Sequence, residues 1–315
     1  MPVEWLNPYH LQVGSFLLIN VLLGVSIYIT LSTGQLSLGN AGFMCIGAYT
    51  AALLSTKCGL PIPAGIALGA VLAGSAGVLV GLPSLRLSGV YLAIATLGFG
   101  EVIRAVAVNW ETLTGGAVGV AAVPQMGRVL LANLADAGFA PGDAGLRPNQ
   151  FIALSVFLIL LAVTALVIAF FLRLDRTRVG RAYAAIRLDE KAAEAMGIPV
   201  TYYKVLAFSQ GAMVSGLAGA LFAHSTSYIS PEDFTYHRAV EILVYAVFGG
   251  SGHLLGSVFG AAALTLLPEA LRFVSDYRHM LYGLLLVLMM IYRPQGVIDP
   301  PLLRRLHRAR AEEAP

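Results

Sequence analysis

Apolar runs of helical length follow one another along almost the whole 315-residue chain, with little charge between them. A helix needs about 20 apolar residues to cross the roughly 30 Å of a bilayer's hydrocarbon. On that measure the pattern predicts spans over 11–31, 38–56, 62–82, 88–108, 150–172, 204–224, 238–250, 255–273 and 279–292. The expected fold is an all-α, polytopic membrane bundle of about 9 (8–10) transmembrane helices. Two stretches interrupt the pattern. Residues 32–42 are polar and glycine-rich but uncharged. Gly249-Gly250-Ser251-Gly252-His253 divides 238–273 into two short spans or one re-entrant pair. Irregular backbone at membrane depth requires cover from protein or a water-filled cavity. The 32–42 break is therefore a candidate pathway-lining segment.

Charge sets the expected orientation. Twelve of the 20 basic residues lie in 173–204 and in the tail 293–315. The excess of Lys and Arg in cytoplasmic loops places both stretches inside. Counting spans back from there puts 109–149 and the N-terminus outside. No Lys or Arg precedes Lys57 and the first apolar run leads only into others, so the N-terminus reads as retained rather than as a cleaved signal. Met126 to Ala140 reads as a short interfacial helix. The tail, with Leu302, Leu303 and Leu306 among its arginines, reads as a helix on the lipid surface. The longest cytoplasmic piece, about 30 residues, falls below the roughly 40 needed to fold alone, and the external stretch 109–149 is too short for a sizeable core. The chain therefore reads as one transmembrane domain over 1–315.

Composition narrows the classes. The chain is 57% hydrophobic and 12% charged, with a net charge of +3. Soluble domains carry roughly 25% charged residues, and so low a share excludes both a water-soluble globule and a disordered chain. The weak, localised basic excess argues against nucleic-acid binding. The 34 glycines suit membrane helices whose backbones approach closely. Cys45 and Cys58 read as small buried hydrophobes.

Catalytic signatures are missing. Gly-Lys never occurs, so there is no phosphate-binding loop. The six histidines and two cysteines have no metal-ligand spacing. The chain reads as neither an enzyme nor a holder of a cofactor or metal. Ser251 in its glycine setting, with His279 on a later span, is the nearest thing to a nucleophile and base. However, Gly252, Gly256 and Gly260 continue that segment as a helix-packing face.

The cytoplasmic loop 173–204 is more than a topology signal. Ala182, Ala185, Ile186, Ala192, Ala193 and Met196 recur at helical spacing. Asp189 is a candidate N-cap, Gly197 a stop, and Pro199 lies just beyond. Two short helices joined at Leu188–Asp189 are predicted, too short to be stable alone. Their small residues suit close approach to a groove on another protein, through which a soluble motor would pass motion to the spans.

Polar groups within the spans are the candidate pathway residues: Gln35, Asn40, Thr96 and Glu101. Glu101 lies one helical turn from Arg104, and pairing that holds span 4 in register is the expectation. Interhelical hydrogen bonding explains Gln35, Asn40 and Thr96 as well as a pathway does. Arg238 with Glu241, and Glu269 near Arg272, read as similar local pairs.

Several stretches together resemble the permease subunits of branched-chain amino-acid ATP-binding-cassette (ABC) importers, of the LivM type. They are Ser37 to Tyr49, Leu87 to Glu101, Thr114 to Gly116, Gly180 to Arg187 running on to Ala192–Gly197, Gly249 to Gly252, and Tyr292 to Gly296. They keep the family's order over nearly the whole chain. The resemblance implies that 173–204 docks on an ATPase subunit. Gly180, Arg181, Ala182, Ala185, Ile186, Arg187, Asp189, Glu190, Ala192, Ala193, Glu194 and Gly197 are its coupling residues. Its importer signature is spread over Glu190, Ala192, Ala193 and Gly197, with Lys191 intervening. It further implies a second permease, of the LivH type, two cytoplasmic ATPases, an extracytoplasmic substrate-binding protein, and a bacterial inner-membrane location. Related permeases import urea, short amides or other amino acids, and a secondary transporter without an ATPase is the alternative of another class.

Overall fold

The computed structural model describes residues 7–84, 86–136 and 147–270, with isolated positions at 280, 283, 284, 287 and 288. Within them lie α1 (Pro8–Leu31), α2 (Asn40–Lys57), α3 (Ile62–Ser84), α4 (Val90–Asn109), α5 (Glu111–Thr114) and α6 (Met126–Asp136). They are followed by α7 (Pro148–Asp175), α8 (Arg178–Leu188), α9 (Glu190–Ala195), α10 (Val200–Thr226), α11 (Tyr236–Gly249) and α12 (Leu254–Ala270). Among the described residues there is no strand, only one isolated bridge between Val120 and Ile229.

The all-α expectation holds, and the boundaries fall within a few residues of the predicted ones. Five helices, α1, α3, α4, α7 and α10, are long and apolar enough to cross a membrane, and α11 with α12 forms a sixth unit bent by 119°. The ninth predicted span, 279–292, and the tail 293–315 lie outside the described residues apart from those isolated positions. The count of about nine is not reproduced among the described residues. The interfacial helix predicted from Met126 is α6, packed along α7.

Helix α10 is the spine. It packs along α2 and α3 on one side and α1 on another, while α1 also meets α7 and α12. Twelve of the 18 residues of α2 are buried, because a helix small and apolar all round is wrapped by others. Three glycines allow that wrapping. A Cβ on Gly47 would stand 2.0 Å from the Gly216 carbonyl oxygen, and one on Gly69 2.7 Å from that of Gly47. The backbones of α2, α3 and α10 therefore touch directly, which is where dispersion energy is gained when lipid offers no hydrophobic drive. The outer helices differ. In their most apolar stretches, α4 and α7 are only 28% buried within the chain. They present wide apolar faces to whatever surrounds the bundle.

The bend between α11 and α12 shares this glycine logic. A Cβ on Gly249 would stand 1.8 Å from the Gly256 carbonyl oxygen, and one on Gly260 2.0 Å from that of Tyr245. Gly256 and Gly260 form the packing face their spacing predicts, with Gly249 opposite them, while Gly252 is exposed in the turn. The possible base His279 lies outside the described residues. The cysteines divide: Cys45 is buried, but Cys58, at the end of α2, is exposed, against expectation, because the helix leaves the bundle there.

Candidate functional site: the α8–α9 end of the bundle

Helices α8 and α9 form where the loop 173–204 was expected to be organised. Thr177 caps α8 by accepting from the Val179 N–H at 3.2 Å. Asp189 caps α9 by accepting from the Ala192 N–H at 3.0 Å. A side-chain oxygen at this position satisfies an N–H that the first turn leaves without an intrahelical partner. Gly197 ends the pair with φ +82°, a conformation glycine reaches without steric cost.

The pair is fastened to the bundle at several points. At its start, Gly180 lies so close to α7 that a Cβ would stand 2.4 Å from the Asp175 Cα. Ile186, Ala193 and Val200 form one small apolar cluster. The Tyr183 hydroxyl donates to Gln210 Oε1 on α10 at 3.0 Å. Burial pushes the Tyr183 phenol up, with Tyr202 and Tyr203 adding to the shift, so it stays a protonated donor. Lys204 pairs with Glu190 at 2.5 Å.

Arg187 makes the longest reach. Its Nη1 donates to the Ser251 carbonyl at 2.6 Å, and its Nη2 to Ser251 Oγ at 3.2 Å. Ser251 stands in the turn between α11 and α12, so the end of α8 holds the tip of the bent pair. Gly34, in the turn after α1, lies against the same residue: a Cβ there would be 3.8 Å from the Arg187 Cα. Nearby, the Tyr28 hydroxyl of α1 donates to Asp175 at the end of α7 at 3.0 Å. One end of α8 thus touches both interruptions of the helical pattern.

Burial corrects the reading of the small residues. Gly180, Ala182, Ile186 and Ala193 are buried against the chain's own bundle, while Ala185 is half-buried. Their smallness serves internal packing, because short helices without cores of their own must lie flat on the spans. Arg181, Arg187, Asp189, Glu190, Ala192, Glu194 and Gly197 are exposed. Leu188 and Met196 stand out further, 88% and 83% exposed. The sequence had signalled Met196 only as part of the helix's apolar face.

The candidate pathway residues are also relocated. Gln35, Asn40 and Thr96 are all buried and joined to protein. Gln35 Oε1 accepts from Thr33 Oγ1 at 3.1 Å. Asn40 Nδ2 donates to Ser26 Oγ at 2.7 Å, and Ser215 Oγ donates to the same oxygen at 2.9 Å, linking α2, α1 and α10. Thr96 Oγ1 accepts from the Leu38 N–H at 2.9 Å. The 32–42 break is therefore covered by protein rather than lining a described cavity, which is one of the two ways non-helical backbone survives at membrane depth. Glu101 accepts from Arg104 at 2.8 Å, the local pair its spacing predicts, and Arg104 also lies 3.6 Å from Glu232. Arg238 and Glu241 pair at 2.7 Å. Glu269 accepts from the Tyr9 hydroxyl; Arg272, the partner its spacing suggests, lies outside the described residues.

At the other end of the bundle is a cavity of about 380 Å³ between α1, α11 and α12, with Asn20, Arg238, Glu241 and Glu269 on its wall. Sequence reasoning missed it by treating each ion pair as local. The available signal was three ionisable residues in apolar surroundings, within two helices of one hairpin.

Residues 11–291 match the family described as branched-chain amino acid transport system, permease component. The high-affinity branched-chain amino acid transport system permease protein LivM of Salmonella typhimurium is 34% identical over 96% of this chain and 74% of its own length. Its Escherichia coli counterpart is 35% identical over the same shares. The permease protein LivH of Escherichia coli is 29% identical over 48% of this chain and 47% of its own length. No solved structure matches the chain.

Proposed function

The chain belongs to the family of branched-chain amino acid transport permease components, and from that premise we propose that it is one permease subunit of an ATP-driven importer of branched-chain or closely related amino acids. In this reading it is a multi-pass protein of the bacterial inner membrane, with α8, α9 and the C-terminal tail on the cytoplasmic face and the N-terminus outside. It forms half of a pathway completed by a second, LivH-like permease. Two ATPase subunits drive the pair, and an extracytoplasmic binding protein delivers substrate. Relatives named LivM and LivH support the pairing of unlike permeases. ATP hydrolysis belongs to the partners, since no phosphate-binding loop occurs in this chain.

The observation that carries the reading is the fastening of α8 to Ser251, together with the bare apolar side chains of Leu188 and Met196. A short helix pair that is rigidly tied to the spans yet offers two large apolar groups to solvent is built to be pushed. Motion imposed on α8 reaches the α11–α12 turn through Arg187 and α1 through the contact at Gly34. The coupling role of Arg181, Asp189, Glu190, Ala192, Glu194 and Gly197 follows from their place on the same exposed surface.

Co-purification tests it. Leu188→Asp with Met196→Asp is expected to abolish capture of the ATPase subunits while leaving the chain folded and inserted. Retained capture, with uptake intact, overturns the docking role. Uptake by the purified chain alone, without any ATPase, would favour the secondary transporter.

A further inference from the structure

The cavity at the end of the bundle away from α8 and α9 has an unusual wall. It holds one guanidinium, Arg238, and three carboxylates, Asp233, Glu241 and Glu269. Facing them are the apolar side chains of Val13, Phe16, Met44 and Phe222. At about 380 Å³ it falls within the 300–1,000 Å³ usual for small-molecule sites. Its position follows from α10: Phe222 stands 22 residues beyond Val200, where that helix begins. At 1.5 Å per residue that is about 33 Å along the helix axis, roughly the hydrocarbon thickness.

The polar wall is a connected network. Arg238 Nη1 donates to Glu241 Oε2 at 2.7 Å, and Nη2 donates to Asn20 Oδ1 at 2.6 Å. Asn20 Nδ2 donates to Thr265 Oγ1 at 2.9 Å, so α11, α1 and α12 are tied in sequence. Glu269 accepts from the Tyr9 hydroxyl. Arg238, Glu241 and Glu269 lie within α11 and α12, and Asp233 lies in the link before α11, where it accepts from the Ser230 N–H and hydroxyl. Ionisable groups within the helices of a membrane protein are costly to hold, and they characteristically face a solute path.

We propose that this cavity receives a zwitterionic α-amino acid with an apolar side chain, its carboxylate on Arg238, its ammonium among the three carboxylates, and its side chain against Phe16, Met44 and Phe222. The inference rests on the importer reading above and gives it a substrate site. Each alternative class meets an obstacle on the same wall. An anion faces three carboxylates, a simple cation makes no use of Arg238 or of the apolar side chains, and an uncharged apolar solute has no use for four charges. A zwitterion matches both signs. On entry its carboxylate takes the place of Glu241 on the guanidinium fork, and Glu241 turns to the ammonium. The resident ion pair is thus exchanged for two intermolecular ones, while Asp233 keeps its Ser230 donors and Glu269 its Tyr9 donor.

Ligand-observed saturation-transfer NMR with L-leucine on the full chain in nanodiscs tests this. The expected result is transfer strongest at the leucine methyls. L-Leucinamide, which lacks the carboxylate, and 4-methylpentanoate, which lacks the ammonium, are expected not to compete, and L-lysine to compete weakly. Arg238→Gln is expected to weaken leucine binding at least tenfold, as the loss of one hydrogen bond to a charged partner implies. Arg238→Lys should recover part of it. Val13→Phe fills the cavity without removing a charge and should also weaken binding at least tenfold, which covers the case in which Arg238→Gln does not fold. Three results overturn the proposal: no transfer to leucine in the folded chain, binding unchanged by Arg238→Gln or, where that variant does not fold, by Val13→Phe, or competition by either truncated analogue as strong as that of leucine itself. Failure of the importer reading shows separately, as failure of the chain to capture ATPase subunits.

Discussion

Arg187 joins the end of α8 to the turn between α11 and α12 and lies against Gly34. It is exposed, so its charge adds little to stability through solvent-screened pairing. Its importance is geometric, because a planar fork holds the Ser251 carbonyl and hydroxyl at once. Arg187→Ala is expected to leave insertion and ATPase capture intact but to lower uptake at least tenfold, with hydrolysis continuing. Arg187→Lys, a point charge that cannot fork, should fall between. Parallel measurement of uptake and hydrolysis in proteoliposomes checks both, and tight coupling in Arg187→Ala would remove Arg187 from the path of transmission. The contrast with Asp189 shows what a sequence discloses. The Asp189 cap is a bond to a residue three positions on, and its signature is local. The Arg187 bond spans 64 positions and depends on how α11 and α12 fold back, which no local pattern contains.

Helices here are joined by what their sequences lack. The excess of glycine signals close backbone approach, but the partners Gly47, Gly69 and Gly216 come from three separate helices and become visible only once those helices are packed. The same holds for 32–42, whose polarity marks a break but not the protein that covers it. Smallness on α8 and α9 was likewise ambiguous, and burial assigns Ala182 and Ala193 to the chain's own bundle. Ala193→Asp would therefore bury a carboxylate and damage the loop itself, so it is no test of docking. Glycine can be tested by contrast. Gly47→Ala puts a methyl group 2.0 Å from a backbone oxygen, whereas Gly98→Ala on α4 meets nothing within 4 Å. Overpacking of this kind costs about 1–3 kcal/mol or more where backbone must move. Thermal unfolding in detergent should show Gly47→Ala markedly destabilised and Gly98→Ala unchanged or slightly improved. Equal melting of the two variants would mean that α2 does not touch α10 backbone to backbone.

The whole molecule has two chemically distinct ends, and its topology can be checked with its own cysteines. Cys58 is exposed in the link between α2 and α3, and Cys45 is buried. Lys57 Nζ donates to the Thr112 and Leu113 carbonyls at 3.0 and 2.8 Å, so that link lies at the same end as the segment after α4. If α1, α2, α3 and α4 run back and forth and α7 returns, α8 and α9 lie at the opposite end. The turn at Ser251 must lie there too, because Arg187 holds it. The α11–α12 pair is then a hairpin that enters and leaves from the Cys58 end. This agrees with Glu269, near the far end of α12, bonding to Tyr9 at the start of α1. A kinked single span would instead leave position 252 at mid-membrane and put Glu269 on the coupling side. An impermeant maleimide applied outside intact cells is expected to label Cys58 and nothing else. In a Cys58→Ser background, Met196→Cys and Gly252→Cys should be labelled together, and only after the cytoplasmic face is opened. Labelling of Gly252→Cys from outside would invert the hairpin and break the mechanical link from α8 to α11 and α12. A Gly252→Cys that stays unlabelled from both faces would mark the kinked span. Joint labelling from inside would place the turn within reach of whatever moves α8, as an inward push on the bundle requires.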